Sequence, residues 1–256
     1  SYRQKMFPSL FTILTGTNES LKTSIIFNEA LQTCMNGGHV IFITTEERAK
    51  RRKPLETPSF NLSSPREEFN NLHFRYFSES EGTLPIFSYI SKLHLLPLQP
   101  HLIIVDDLSI LFPTFQDKAR VLSLLESARA HATILQEWVG SSSSSRTAAA
   151  VEDEEGATEG ATEGFIAAAT ESTQTPKTCR VLIADALNDL GEYPDLAALS
   201  PPLRSHWISR SISNQVFRLE QVKVHVDDDS HNSSSSQGTT DHIIFDVSEG
   251  RMTPRP

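Results

Sequence analysis

Cysteine is scarce in this sequence: only Cys34 and Cys179 occur in 256 residues. The two lie too far apart along the chain to give the paired spacing of a structural metal site. Cys34 falls on the apolar face of a predicted helix and Cys179 begins a predicted strand, so both are expected to be buried free thiols. Free thiols of this kind are typical of a protein in a reducing compartment.

Positive charge is also in deficit, because 23 lysine and arginine residues stand against 32 aspartate and glutamate residues and the net charge is −9. A protein that coats nucleic acid unaided draws on clustered Lys and Arg, so this balance argues against that class. The chain also shows no apolar run long enough to span a membrane and no signal-peptide pattern at its N-terminus. These absences predict a soluble intracellular protein with no membrane association.

One local exception to the acidic balance is the basic run KRRK at residues 50–53. It has the composition of a nuclear localisation signal or of a nucleic-acid contact in a proline-containing loop. A solvated surface loop is an equally good interpretation, since charged runs often lie on exposed surfaces. The sequence leaves these alternatives open.

The chain does contain a pattern typical of a phosphate-binding loop, FTILTGTNESLKTS at residues 11–24. A short apolar run turns at Gly16, and after five further residues Lys22 and Thr23 open an amphipathic segment. In such loops the backbone N–H groups and a helix N-terminus surround phosphate oxygens, the lysine reaches the β- and γ-phosphates, and the threonine hydroxyl holds Mg²⁺. The predicted nucleotide-binding residues are Gly16, Thr17, Asn18, Glu19, Ser20, Leu21, Lys22, Thr23 and Ser24.

Leu21 stands where the usual pattern, G-x-x-x-x-G-K-[ST], has its second glycine. Glycine there lets the backbone pass close to phosphate, and a leucine side chain is expected to crowd the nucleotide or to alter the loop. Two interpretations therefore stay open: a working nucleotide site, or a loop inherited from one. ATP and Mg²⁺ are predicted cofactors only under the first.

The apolar patterns along the chain alternate between strands and helices, and a capping box at residues 64–67 predicts a further short helix. The predicted buried strands lie at residues 11–15, 39–45, 72–77, 101–107 and 180–186, and the predicted helices at 22–36, 82–96 and 116–138. Strands at 207–212, 216–224 and 242–247 then follow one another without helices. This order predicts an α/β fold whose mostly parallel sheet is covered on both faces and ends in an antiparallel β meander.

Two segments within this order lack the apolar content of a folded element. Residues 140–178 contain five consecutive serines, an alanine run and a GATE-GATE repeat, and two basic against seven acidic residues give them a net charge of −5. Such a segment cannot bury enough apolar surface to offset its ordering entropy, so a disordered acidic insert is predicted. A second polar loop is predicted at residues 227–241. Because both interrupt one sheet, residues 1–256 are predicted to form a single domain.

Carboxylates follow two of the predicted strands. Asp106 and Asp107 end the run HLIIVDD, and in an open α/β sheet the carboxyl ends of the strands form the edge where ligands bind. Asp106 is therefore a candidate Mg²⁺ ligand together with Thr23, whereas Asp107 is expected to cap a helix or to lie in a solvated turn. Glu46 follows the second strand at the same edge, as a candidate general base or as a solvated glutamate.

The order and spacing of five stretches resemble the RecA-like recombinase superfamily: GTNESLKTS, HLIIVDDL, RVLIADALN, SPPLRSHWI and DHIIFDVSEGRM. The resemblance covers residues 11–251 apart from the two inserts, and it is strongest to the small ATPase subunits of Shu complexes. It implies a nuclear ATPase domain with a RecA-like P-loop core that binds single-stranded DNA and pairs with a SWIM-domain zinc protein. In DNA repair by homologous recombination, such a domain stabilises the filaments of a RecA-family recombinase.

The resemblance also implies a role for each matching residue. Lys22 and Thr23 take the phosphate and Mg²⁺ roles of the loop, and Asp106 takes the second, acidic metal role. Glu46 takes the position of the catalytic glutamate, which follows the second strand in active recombinases.

The chain departs from active recombinases at three places. Leu21 replaces the loop glycine, and Ala186 stands where active recombinases carry a glutamine that senses the γ-phosphate. Residues 188–202 match a DNA-binding loop in position, yet they are acidic and no Lys or Arg occurs before Arg204, which argues against direct DNA contact through them. The first hypothesis is therefore a recombination adaptor with weak or degenerate ATPase activity. An active DNA-stimulated ATPase and an unrelated phosphate-loop kinase or small-molecule enzyme are the alternatives.

Overall fold

The structure, a computed structural model, describes residues 7, 9–17, 21–51, 67–148, 178–186, 205–213, 216–222, 242–248 and 251–254. The predicted polar loop at 227–241, the stretch 188–202 and most of the acidic insert lie outside these residues.

Strands and helices alternate in the first part of the chain, and strands alone follow in the last part. The strands of the described residues are β1 (Phe11–Gly16), β2 (His39–Thr45), β3 (Leu72–Phe77), β4 (Pro100–Asp106), β5 (Arg180–Ala186), β6 (Ser205–Ser213), β7 (Val216–Val222), β8 (His242–Ser248) and β9 (Arg251–Pro254). The α-helices there are α1 (Lys22–Met35), α2 (Glu46–Arg51), α3 (Leu84–Ser91), α4 (Leu108–Leu111) and α5 (Phe115–Ala148), with 3₁₀ turns at Glu67–Asn71, Glu79–Glu81 and Leu93–Leu95.

All nine described strands form one sheet in the order β3-β2-β4-β5-β1-β6-β7-β8-β9. The pairs from β3 to β6 are parallel, and the pairs from β6 to β9 are antiparallel. This confirms the predicted α/β class with a mostly parallel sheet and an antiparallel extension. The extension has one strand more than predicted, because β9 pairs antiparallel with β8.

Apolar side chains on both faces of the sheet form two cores, since successive strand residues point to opposite faces. In β4, Ile103 and Val105 join one core and Leu102 and Ile104 join the other. The helices α3, α4 and α5 cover the first core and α1 covers the second. The apolar runs of β1, β2, β4 and β5 are therefore explained by burial on both sides. The edge strand β3 is parallel as well, but most of its side chains are not buried.

Several predicted bounds differ from the structure by one or two residues, and two segments differ more. Residues 46–51 form the helix α2, so the basic run at 50–53, predicted in a loop, begins inside a helix. The Thr45 hydroxyl accepts a hydrogen bond from Arg48 N at 3.1 Å and so caps the first turn. The helix predicted at 82–96 is shorter, and the last part of that segment forms a 3₁₀ turn. The predicted start at 64–66 lies outside the described residues, and a 3₁₀ turn follows it.

The helix α5 corrects the predicted start of the acidic insert. It continues to Ala148, so residues 140–148 are helical and not disordered. No proline occurs from Phe115 to Ala148, and a serine run weakens a helix far less than proline breaks it. Residues 149–177 lie outside the described part of the chain, and the prediction of disorder stays untested there.

Both cysteines lie where the sequence predicts them. Cys34 and Cys179 are fully buried and free, each in a different apolar core. Among the described helices, none combines the length and the apolar character that crossing a membrane requires.

Candidate nucleotide-binding site

The candidate site lies at the edge where the parallel strands β1, β5 and β4 end side by side. In the register of the sheet, Gly16 lies opposite Ala186 and Asp106 lies opposite Ala184. The carboxyl ends of β1, β4 and β5 therefore lie at one edge of the sheet, and the loop follows β1 at that edge. This is the edge at which open α/β sheets bind ligands.

Lys22 lies at the start of α1 and is only 1% exposed. Its ammonium group donates to the Gly16 carbonyl at 2.6 Å and to the Asp185 carbonyl at 2.7 Å. Burial lowers the pKa of Lys22 to about 8, an effect that Asp107 opposes and Arg48 reinforces. The lysine is thus held between the ends of β1 and β5.

Thr23 and Asp106 meet at the same edge. The Thr23 hydroxyl donates to the Asp106 carboxylate at 3.2 Å from Oδ1 and 3.3 Å from Oδ2. The structure therefore brings together the two side chains that the sequence predicts as metal ligands, from positions far apart in the chain.

Arg48 completes this group, and sequence reasoning missed it. It is 8% exposed, and its Nε donates to Asp106 Oδ2 at 2.9 Å while its Nη2 donates to Thr23 Oγ at 2.9 Å. The remaining terminal nitrogen donates to Asp107 Oδ2. Burial lowers the pKa of Arg48, but the carboxylates of Asp106 and Asp107 raise it more, so the guanidinium stays charged.

Asp107 confirms the expected capping role and adds an ion pair. Its backbone is left-handed, with φ of 73°, and its side chain accepts from Ile110 N at 3.4 Å at the start of α4. Burial raises the pKa of the Asp107 carboxyl, although Arg48 and Lys22 oppose that shift. Asp107 is not solvated, because it is 2% exposed.

A second buried ion pair lies beside the first. Asp185 is fully buried, and its carboxylate accepts from Lys118 Nζ at 3.2 Å and from Ser109 N at 2.7 Å. Lys118 also donates to the Ser109 hydroxyl at 2.6 Å. The signal for this pair is present in the sequence, since an aspartate inside the apolar run RVLIADA requires a partner when it is buried.

The other predicted site residues lie around this group. Leu21 is 7% exposed and its side chain belongs to the apolar core beneath α1, while its carbonyl accepts from Ile25 N at 2.9 Å. Ser24 is buried on α1, and Thr17 is exposed. Asn18, Glu19 and Ser20 lie outside the described residues.

Glu46, the candidate catalytic residue, is the first residue of α2. Its side chain is 54% exposed and pairs with Lys50, on the same helix, at 3.3 Å. The ion pair described for Glu46 is with Lys50, whereas Thr23 and Asp106 contact each other and Arg48. Of the basic run at 50–53, residues 52 and 53 lie outside the described part of the chain, and Lys50 is exposed.

The described residues do not fit a bound Mg²⁺ in this arrangement. The hydroxyl of Thr23 and the carboxylate of Asp106 are both engaged by the Arg48 guanidinium, at the distances given above. Among the described residues, no group of three or more His, Cys, Asp and Glu side chains is arranged to hold a metal ion.

The fold and this edge define an α/β protein with a lysine-threonine loop at the carboxyl end of its parallel sheet. No family model and no curated protein matches the chain.

Proposed function

We propose that the protein is a recombination-repair factor with a RecA-like core, which binds a nucleotide weakly and turns it over slowly or not at all. It pairs with a SWIM-domain zinc protein and supports the filaments of a RecA-family recombinase on single-stranded DNA. The nucleotide part of this proposal is supported by geometry, and the partner part by the resemblance of the five stretches.

One observation carries the nucleotide proposal: Lys22 is buried at the start of α1 with its ammonium between the Gly16 and Asp185 carbonyls. An apolar residue would fill this buried place at a lower cost in desolvation free energy than a lysine does, so packing alone does not explain Lys22. It is held at the helix N-terminus that follows a strand, where phosphate oxygens bind in proteins with such loops.

Weak turnover is supported by the positions of the other candidates. Glu46 is exposed and paired with Lys50 on its own helix. Ala186, at the end of β5, has only a methyl side chain, which cannot hydrogen-bond a phosphate. An active DNA-stimulated ATPase is the alternative, and the titration described below distinguishes it from a weak nucleotide-binding protein. An unrelated phosphate-loop kinase is disfavoured by the antiparallel extension of the sheet.

Calorimetric titration of the full chain with ATP tests the nucleotide proposal. We expect weak binding that Lys22→Ala abolishes and that Lys50→Ala, a change on the exposed face of α2, leaves intact. Complete absence of ATP binding in the unmodified chain contradicts the proposal. Tight Mg·ATP binding with hydrolysis that single-stranded DNA stimulates supports the active ATPase instead.

Co-expression with a SWIM-domain zinc protein tests the partner proposal. We expect a complex that co-purifies at constant stoichiometry and that slows the dissociation of recombinase filaments from single-stranded DNA. Separate elution of the two chains, with no effect of their mixture on filament lifetime, contradicts it.

A further inference from the structure

Arg48 contacts each of the groups that surround the predicted Mg²⁺ position. Its three side-chain nitrogens are distributed over three partners: Nε to Asp106 at 2.9 Å, one terminal nitrogen to Thr23 at 2.9 Å, and the other to Asp107. The planar fork of a guanidinium suits such multiple contacts, which a lysine ammonium cannot reproduce. The arginine therefore makes the contacts that a cation between Thr23 and Asp106 would make.

The charges at this edge are already balanced. The buried cations are Lys22, Arg48 and Lys118, and the buried anions are Asp106, Asp107 and Asp185. Each of these anions is in an ion pair: Asp106 and Asp107 with Arg48, and Asp185 with Lys118. A divalent cation added to this group would leave it with two uncompensated positive charges in a region shielded from water, which is costly.

Arg48 is also fixed at its backbone. Its N–H donates to the Thr45 hydroxyl at 3.1 Å, which holds the residue in the first turn of α2. The guanidinium is anchored at the other end by two carboxylates, and the residue is 8% exposed. A side chain held at both ends is a structural part of the site and not a mobile surface arginine.

We propose that Arg48 is a resident cation that takes the place of Mg²⁺, so that the site excludes a divalent cation and the loop binds its nucleotide without one. The nucleotide part of this inference rests on the proposed function, whereas the exclusion of the cation does not. Arginine also suits nucleotide binding without a metal ion, since its guanidinium pairs with phosphate oxygens as well as with carboxylates.

Mn²⁺ binding tests the exclusion, because the electron paramagnetic resonance signal of free Mn²⁺ falls when the ion binds protein. We expect no Mn²⁺ site in the unmodified full chain at millimolar concentration. Arg48→Gln removes the charge and should create a site that binds Mn²⁺ at least about tenfold more tightly than the unmodified chain does. The reason is that buried carboxylates that lose their cation are strongly destabilised. The added change Asp106→Asn should remove that site.

Arg48→Lys is the matched control, because it keeps the positive charge on a side chain of similar length. We expect it to exclude Mn²⁺ as the unmodified chain does. Mn²⁺ binding by the unmodified chain that Asp106→Asn abolishes would overturn the inference, and so would an Arg48→Gln variant that is folded by circular dichroism and gains no site.

Titration with a fluorescent ATP analogue, in Mg²⁺ and in EDTA, tests the second part and needs no variant. The affinity of the unmodified chain should differ by less than about twofold between the two conditions, whereas a Mg²⁺-dependent site differs by about tenfold or more. A tenfold gain in Mg²⁺ overturns the inference. If the analogue binds under neither condition, the proposed nucleotide function fails, and the Mn²⁺ measurement still decides whether Arg48 excludes a cation.

Discussion

Arg48 is the residue on which the arrangement of this site depends most. It compensates two carboxylates, of Asp106 and Asp107, that are 1% and 2% exposed. If the guanidinium is removed, no other described cation pairs with these two carboxylates, since the nearby Lys22 donates to the Gly16 and Asp185 carbonyls instead. The arginine therefore stabilises the fold and also sets the character of the site.

Arg48→Ala should lower the free energy of unfolding by about 3–5 kcal/mol, because it leaves two buried carboxylates without their cation. Urea unfolding followed by circular dichroism measures this change. Lys50→Ala is the control on the same helix: its ion pair with Glu46 is exposed and should contribute only about 0.3–0.5 kcal/mol. An Arg48→Ala variant as stable as the Lys50→Ala variant would show that water or another group solvates the carboxylates.

Lys22 gives the protein a pH dependence that can be isolated. Its pKa is lowered from 10.5 to about 8 by burial, so between these two values the unfolded chain binds more protons than the folded one. Stability from this group therefore rises as the pH increases from about 8 to 10.5, because the folded lysine is already neutral there.

We expect the unmodified chain to gain up to roughly 3 kcal/mol relative to Lys22→Met across this range, at 1.36 kcal/mol per pKa unit. Urea unfolding of both chains at pH 7.5 and 10.5 measures the difference, in which the titration of all other groups cancels. A difference that does not change with pH would show that the buried ammonium keeps its ordinary pKa.

At the scale of elements, α5 divides into a packed part and a continuation. Among its described side chains, the buried apolar ones are Val121, Leu122, Leu125 and Ala132. The chain returns to this helix at Cys179, whose N–H donates to Thr133 Oγ at 3.2 Å. A short linker can therefore join the packed part of α5 to β5 directly.

Replacing residues 140–177 by a short Gly-Ser linker should leave the melting temperature within about 2 °C, since no described buried apolar residue is lost. Calorimetry or circular dichroism measures it. Leu125→Ala, in the packed part of the same helix, is the sensitivity control and should cost about 2–5 kcal/mol. If the melting temperature of the deletion variant fell as far as that of Leu125→Ala, the segment would be shown to pack against the domain.

The elements themselves were predicted to different degrees. β2, β3 and β5 have the predicted bounds. β2 and β5 are largely apolar runs, whereas β3 is an edge strand whose middle residues are exposed. α2 was not predicted, since its residues are charged and its cap depends on a single threonine hydroxyl. The last strand, β9, was missed because four residues with one buried methionine carry no periodic signal.

At the scale of the whole molecule, the charge balance limits what the chain binds alone. The net charge is −9, and the buried cations of the strand edge are already engaged. Arg48 and Lys118 pair with carboxylates, and Lys22 donates to two backbone carbonyls. Affinity for single-stranded DNA depends on cations that are free to neutralise phosphates. The DNA-binding part of the proposed function is therefore assigned to the complex with the zinc-binding partner.

Fluorescence anisotropy with a labelled oligothymidine should show a Kd for the isolated chain weaker than about 1 μM at about 0.1 M salt. The complex with the SWIM-domain protein should bind more tightly under the same conditions. A submicromolar, salt-dependent affinity of the isolated chain would contradict this expectation and would indicate a basic surface in the residues that the structure does not describe.

The sequence by itself determined the class of fold and half of the site. The apolar runs predict strands buried on both faces, and the carboxyl ends of parallel strands share one edge, so Lys22, Thr23 and Asp106 were predicted to meet there. These inferences need only local patterns and the general geometry of α/β sheets.

Only the tertiary structure decided what fills that site. β2 lies next to β4 in the sheet although β3 and α3 separate them in the chain, and this adjacency brings Arg48 onto Asp106 and Asp107. No local pattern encodes which strands are neighbours, so Arg48 is indistinguishable in sequence from the exposed charges beside it. Its burial and its three partners turn a predicted Mg²⁺ site into a site with its own cation.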